Sequence, residues 1–182
     1  MKICIAGTAH TKFGKRNEGI GDLVAECCED LLRDASLDIG DVDASYISNF
    51  SSHFSAQCHL SALLSSRMHS RHESTRVENA CASGGAALKQ ASIAIASGLY
   101  DVIAVLGVEK MTTRSTDETT SILSYAGSEA ERRHGITFPG LFALMARRHF
   151  YELSTSEADF AKIAVKNHKN ALSNPNARFH NR

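Results

Sequence analysis

Apolar residues recur along this chain at two spacings, and each spacing predicts one type of element. Apolar positions three or four residues apart predict helices at Ile20–Leu32, Leu60–Met68, Ala82–Ser97, Leu141–Tyr151 and Glu157–Leu172. Short apolar runs between turn-favouring residues predict strands at Lys2–Gly7, within Val42–Phe50, at Thr75–Glu78 and at Val102–Leu106. The alternation of strands and helices predicts an α/β fold with a mostly parallel sheet flanked by helices.

The chain changes in character after the last predicted strand. Thr112–Thr120 is polar and is predicted to be a loop. The spacing Ser154-x-x-Glu157 is a capping-box pattern and predicts the start of the last helix. Ser173–Arg182 is predicted to be a surface loop. We therefore expect an α/β core at residues 1–112 and a helical loop extension of the same domain at residues 113–182.

The predicted helix Ala82–Ser97 is apolar on every side. Its long polar side chains are Lys89 and Gln90, and the other residues are mainly Ala, Gly, Ser, Leu and Ile. A helix that is apolar all round has to be buried all round. One sheet covers one face only, so we expect a second layer over this helix, from a partner subunit or from a further half of the protein.

Composition limits the classes of function. The chain has 182 residues, of which 43% are hydrophobic, so a real core can form. Lys plus Arg equal Asp plus Glu at 20 each, so no overall field attracts nucleic acid or an anionic membrane. The apolar runs are too short for a membrane span, and the first one is too short for a signal peptide. The five cysteines are odd in number and favour a reducing compartment, so we expect a cytoplasmic protein.

Cys81 is the candidate for chemistry. It lies between a predicted strand and the start of the apolar helix, where free backbone N–H groups and the positive end of the helix dipole favour a thiolate. The same N–H groups can stabilise an oxyanion. Gly84 and Gly85 follow and allow close approach of a ligand or another backbone. The alternative from spacing alone is that Cys81 is a small, inert core residue.

Other groups are weaker candidates. A set of His and Cys residues lies within twenty positions, but its spacing matches none of the usual zinc patterns, so no metal site is predicted: His53, Cys58, His59, His69 and His72. Cys27 and Cys28 lie on an apolar helix face and are expected to pack in the core. Three further histidines are possible bases only if they reach Cys81: His134, His149 and His168.

Several segments resemble thiolases. Arg76–Leu88, which contains Cys81, looks like the nucleophile segment of that family, and Ala96–Val102 and Gly107–Met111 look like its next strand and exit. Ala143–His149 and Ala164–Asn170 resemble the branch that includes sterol-carrier-protein-type and archaeal acetoacetyl-CoA thiolases. The resemblance extends over nearly the whole chain.

The resemblance implies one half of a five-layer αβαβα sandwich, with Cys81 as the nucleophile that carries the acyl group. It implies acetoacetyl-CoA or 3-ketoacyl-CoA thiolysis or condensation, with a coenzyme A thioester as substrate and no separate cofactor. The C-terminal half, which in the family supplies the activating histidine, is absent, so this chain is expected to be inactive alone. Expected partners are a second copy, a complementary C-terminal half, or a zinc-containing OB-fold protein. Alternatives are a ketoacyl or hydroxymethylglutaryl-CoA synthase relative and a non-catalytic binding subunit.

Overall fold

A computed structural model describes residues 2–180 and gives the following elements. The strands are β1 (Ala44–Ser48), β2 (Glu73–Val77) and β3 (Ile103–Gly107). The helices before β3 are α1 (Ile20–Ala35), α2 (Ser52–Ser55), α3 (Leu60–Arg67) and α4 (Ser83–Ala96). The helices after β3 are α5 (Thr116–Ser124), α6 (Glu129–Arg133), α7 (Phe138–Leu153) and α8 (Glu157–Ala171). One-turn 3-10 helices lie at Ile39–Asp41 and Ala80–Ala82.

The chain folds as two compact units. Among the described residues, the first unit holds residues 2–11 and 16–113, and the second holds residues 12–15 and 114–180. The first contains the sheet and α1–α4, and the second contains α5–α8. That both belong to a single domain stays a prediction. In the described part of the chain, no helix combines the length and apolar character needed to cross a bilayer.

The sheet is parallel, as the sequence predicts. Its order is β2-β1-β3, with Ile47 of β1 opposite Arg76 on one side and Leu106 on the other. Both connections therefore cross over through helices, which is the rule for parallel neighbours. The central strand β1 is buried along nearly its whole length, because it has strands on both sides and helices on both faces.

The two faces of the sheet are covered by different helices. A core cluster joins Val24 and Cys28 of α1, Leu60 and Leu64 of α3, and Ile47 of β1. Helix α4 contacts all three strands and contributes no residue to that cluster, so it covers the opposite face. Its buried residues are small, which lets its backbone lie close to the sheet: Ser83, Ala87, Ala91 and Ala94.

The predicted strand at Lys2–Gly7 is wrong. No strand is formed there within the described residues, and the Ile5 side chain is 73% exposed. An extended segment becomes a strand only beside another strand, and this segment joins neither edge of the sheet. It is held instead against α1, where the Thr8 N–H donates to Asp34 Oδ2 at 2.8 Å and Gly7 lies close to the backbone of Ala35.

Two details of the second unit also differ from prediction. The predicted loop Thr112–Thr120 contains the start of α5, because Ser115 and Glu118 form a capping box that fixes the helix from Thr116. The capping box of α8 is formed by Ser156 and Asp159, not by Ser154 and Glu157. Ser154 instead ends α7 in the left-handed conformation, at φ 53°, so it cannot cap the next helix.

Candidate active site

Cys81 lies on a tight connection between a strand and a helix. Strand β2 ends at Val77, the 3-10 turn spans Ala80–Ala82 with Cys81 at its centre, and α4 begins at Ser83. Cys81 is exposed. The side chain is therefore reachable from solvent and lies one residue before the N-cap of a 14-residue helix.

Ser83 fixes the shape of this connection. Its buried hydroxyl oxygen accepts the Asn79 N–H at 2.7 Å, and its O–H donates to the Ala80 carbonyl at 2.7 Å. Ala80 is left-handed, at φ 45°, a conformation that costs an L-residue free energy unless its surroundings hold it. The two hydrogen bonds of Ser83 span this strained residue and place Cys81 immediately after it.

Part of the expected set of free N–H groups is already used. The Ala82 N–H donates to the Asn79 carbonyl at 2.9 Å, and the Ser83 N–H donates to the Ala80 carbonyl. Both hydrogen bonds belong to the 3-10 turn that leads into α4.

Gly84 and Gly85 face open space. A Cβ atom built on either residue meets no described atom of this chain within 4 Å. Crowding within the chain therefore does not require glycine at these positions. The two glycines leave a gap on the first turn of α4, next to Cys81 in sequence, which is available to a ligand or to another polypeptide.

The outer face of α4 is apolar and uncovered within residues 2–180. Leu88 is 50% exposed and Ile93 is 52% exposed. Lys89 and Gln90, the two long polar side chains of the helix, are exposed as well. The structure thus contains the uncovered apolar helix that the sequence predicts, while what covers it stays a prediction.

A polar network joins the carboxyl ends of the three strands, at the edge of the sheet from which the Cys81 connection leaves. Arg76 Nε donates to Asn49 Oδ1 at 2.7 Å, and Arg76 also pairs with Glu78. Glu109, after β3, accepts the Phe50 N–H on Oε2 at 2.7 Å. Sequence reasoning did not single out Asn49, Arg76 or Glu109. The sequence signal that could have identified these residues is their position at the end of a parallel strand or directly after one.

Glu109 is electrostatically unusual. Burial raises the pKa of its carboxyl above the ordinary value of 4.5, although the N–H groups of Phe50 and Ser51 and the charge of Arg76 act in the opposite direction. Its Oε1 atom is buried and has no hydrogen-bond partner among the described residues. Ionised Glu109 is therefore incompletely compensated in this structure.

The weaker cysteine candidates lie in the core. Cys28 is buried and belongs to the core cluster, and Cys27 is half-buried on the same helix. Burial raises the pKa of both thiols, and neighbouring negative charges add to the effect. These features favour packing and disfavour nucleophilic chemistry.

Four of the candidate histidines contact neighbouring groups. His72 Nε2 lies 2.7 Å from Ser45 Oγ, and burial lowers the pKa of its ring. The other three contacts are His134 Nδ1 with the Ala130 carbonyl, His149 Nδ1 with Thr155 Oγ1, and the His168 ring stacked on Phe179. Across residues 2–180, no three His, Cys, Asp or Glu side chains come together as a possible metal site.

Comparison with known proteins identifies the family. The model of the N-terminal domain of thiolase matches residues 3–182. The chain belongs to the thiolase family. An acetyl-CoA acetyltransferase of Methanothermobacter thermautotrophicus is 41% identical over 97% of this chain and 47% of its own length. The benzoylsuccinyl-CoA thiolase subunit BbsB of Thauera aromatica is 32% identical over 98% of this chain and 46% of its own length.

A solved structure shows a similar fold. The Ltp2-ChsH2(DUF35) aldolase structure superimposes with a TM-score of 0.69, covering 98% of this thiolase-family chain and 45% of that chain, at 24% identity. The chain spans about half the length of the curated relatives it matches. The predicted thiolase-like N-terminal α/β fold is thus confirmed.

Proposed function

We propose that this chain is the cysteine-bearing half of a thiolase-type acyltransferase, with Cys81 as its nucleophile. The observation that carries the proposal is the exposed Cys81 on a strained strand-to-helix connection before α4. In the proposed reaction the Cys81 thiolate attacks the thioester carbonyl of an acyl-CoA, and the coenzyme A thiolate leaves. With a 3-ketoacyl-CoA the thiolate attacks the 3-keto carbon, and the bond between C2 and C3 breaks to release acetyl-CoA after protonation. The acyl group then passes to coenzyme A or to a second acetyl-CoA.

Complete turnover needs groups from outside residues 2–180. General base catalysis requires a base within hydrogen-bond reach of the proton that it moves. His72, His134 and His149 have their hydrogen-bond contacts with Ser45, Ala130 and Thr155. We infer that a complementary C-terminal half supplies the base, and that the isolated chain undergoes acylation without sustained turnover.

The partner proposals follow from the same features. The uncovered face of α4 and the gap at Gly84 and Gly85 support a second polypeptide on this side, either a complementary half or a second copy. A zinc-containing OB-fold protein is the further partner that the thiolase resemblance implies. Coenzyme A thioester is the substrate in this scheme, with no separate cofactor.

The acylation test uses acetyl-CoA and intact mass spectrometry. Purified chain is incubated with acetyl-CoA at neutral pH, and peptide mapping locates any acetyl group. We expect one acetyl group on Cys81 and none on a Cys81→Ala variant, with a Cys58→Ala variant as the matched exposed-cysteine control. Acetylation at another cysteine, or none even after a C-terminal thiolase half is added, contradicts the proposal.

A non-catalytic binding subunit is the second candidate. It is favoured by the apolar outer face of α4, which a binding role explains without any chemistry at Cys81. In that case a complementary half binds equally well to the Cys81→Ala variant, and no acylation of Cys81 occurs. A synthase relative of the same fold would also form acyl-Cys81, but it would condense acyl groups without thiolysis.

A further inference from the structure

A cleft lies within the second compact unit, between α5 and the segment that joins α6 to α7. Its volume is about 290 Å³. Gly135 and Ile136 form part of its lining, and the other lining residues have polar side chains: Asp117, Thr120, Ser121, Ser124, Arg132 and Thr137. None of these residues belongs to the Cys81 connection, so the proposed chemistry of Cys81 does not account for this cleft.

Arg132 has a charge without a counter-charge. No described carboxylate lies within salt-bridge distance of its guanidinium, whereas the neighbouring Arg133 pairs with Glu129 at 2.5 Å. Its Nε atom is buried and has no hydrogen-bond partner among the described residues. The guanidinium lies 4.8 Å from the centre of the Tyr125 ring, which offers weak compensation only. A partly buried cation of this kind is stabilised by an anion that enters the cleft.

Hydroxyl groups supply further donors around the same cleft. Thr137 Oγ1 accepts the Gly140 N–H at 3.2 Å, so its own hydroxyl hydrogen remains to donate. Thr120 and Ser121 also line the cleft. A guanidinium with several hydroxyl donors matches a phosphate group, which presents several oxygen acceptors.

Asp117 is the one carboxylate among the described residues that line the cleft. Asp117 is exposed there and has no described salt-bridge partner. A free dianion would be repelled by this carboxylate, whereas the hydroxyl groups of a phosphorylated sugar can donate to it.

We propose that this cleft binds a phosphate monoester, with the phosphate on Arg132 and Thr137 and a hydroxyl-bearing ester group toward Asp117. The proposal is independent of the acyl-transfer function, because no residue of the cleft belongs to the Cys81 connection. A Cys81→Ala variant is therefore expected to bind the same ligand with unchanged affinity.

Calorimetric titration of the full chain with ribose 5-phosphate and with inorganic phosphate, in low-chloride buffer, tests the proposal. Saturable binding is expected, tighter for ribose 5-phosphate. Arg132→Gln is expected to weaken it about tenfold, since one charge-assisted contact is lost. Arg133→Gln is the matched control, because it changes the adjacent residue and removes the same charge outside the cleft.

Asp117→Asn provides a second variant that does not depend on Arg132. It is expected to strengthen inorganic phosphate binding, because the repelling carboxylate is removed, and to narrow the preference for ribose 5-phosphate. Circular dichroism melts check that each variant is folded. Equal loss of affinity in the Arg132 and Arg133 variants, or no saturable binding of either probe to the unaltered chain, overturns the proposal. Tighter binding of inorganic phosphate than of ribose 5-phosphate overturns the assignment of Asp117.

Discussion

The Ser83 hydroxyl oxygen accepts the backbone N–H of Asn79 at 2.7 Å, across the turn that holds Cys81. The same hydroxyl donates to the Ala80 carbonyl, so one side chain satisfies backbone groups on both sides of the turn's start. Ser83 is buried at the first position of α4. The position of Cys81 therefore depends on a serine two residues further along, which makes no covalent contribution to the proposed chemistry.

Ser83→Ala is expected to loosen this connection. It leaves the Asn79 N–H without its partner in the chain, and the loss of a hydrogen bond of this kind costs about 0.5–1.5 kcal/mol of unfolding free energy. We also expect slower acylation of Cys81, because left-handed Ala80 loses its support. Chemical denaturation and the acetylation rate measure the two effects. Ser92→Ala is the matched control, since Ser92 lies on the same helix and only donates to the Leu88 carbonyl. Equal effects in both variants would contradict a specific role for Ser83.

Cys81 is expected to alkylate faster than the other four cysteines at neutral pH. Its side chain is exposed before α4, whose dipole favours the thiolate, while burial raises the pKa of Cys27 and Cys28. Brief iodoacetamide treatment followed by peptide mapping gives the order. Cys4 and Cys58 are the informative comparison, because both are exposed. Cys58 also lies one residue before the N-cap of a helix, the eight-residue α3, so it tests what the connection before the longer α4 adds. Preferential labelling of either one would count against Cys81 as the nucleophile.

The sequence predicts the elements that depend on local pattern. The amphipathic spacing of α1, the apolar run of β3 and the Gly98 stop after α4 are all visible in the chain, and Gly98 has the expected positive φ of 76°. The segment around Cys81 resembles the nucleophile segment of thiolases, and this resemblance then predicts the fold. These signals come from local sequence pattern or from family resemblance, so they can be identified without knowing which distant residues are in contact.

Features that depend on distant contacts were not predictable in the same way. Ile3 and Ile5 have a strand-like pattern, but a strand needs a neighbour that is absent from the described residues. Ser154 and Ser156 both precede acidic residues at capping distance, and only the end of α7 decides between them. Glu109 looks like a surface residue in the sequence, and only the pairing of β1 with β3 brings it to Phe50.

Gly84→Ala is expected to affect the stability of the chain and the acylation of Cys81 differently. Alanine is favoured over glycine inside a helix by about 0.5–1 kcal/mol, and apart from the backbone of its own helix the added methyl group meets no described atom within 4 Å. The isolated chain should therefore be equally or more stable. If the gap admits the substrate or the second half, the same methyl group lowers the acylation rate of Cys81 or weakens assembly. Thermal melts, acetylation kinetics and binding of a C-terminal thiolase half measure these effects. Unchanged kinetics together with unchanged binding would show that the gap is not used.

Glu109 is expected to make stability depend on pH. Its pKa is raised in the folded chain, mainly by burial, so the folded state favours the protonated form. This contribution is fully present below the ordinary pKa of 4.5 and is lost as pH rises through the higher folded pKa. Denaturation of the wild type should show this loss, and Glu109→Gln should lack it. Glu152→Gln, in an exposed pair with Arg148, is the control. An unchanged pH slope in Glu109→Gln would contradict the prediction.

The outer face of α4 is expected to control assembly. Leu88 and Ile93 each expose about half of an apolar side chain, and burying such a surface gains about 1 kcal/mol or more per residue. The isolated chain should therefore self-associate or take up a C-terminal thiolase half, as sedimentation velocity can show. A double variant, Leu88→Glu with Ile93→Glu, should sediment as a monomer and lose binding of the second half. Ile163→Glu on α8 is the control, because Ile163 is similarly exposed but lies in the other compact unit. Two outcomes would show that α4 is not the assembly face. One is a monodisperse wild-type monomer that does not bind the second half, and the other is an equal loss of self-association in the α8 variant.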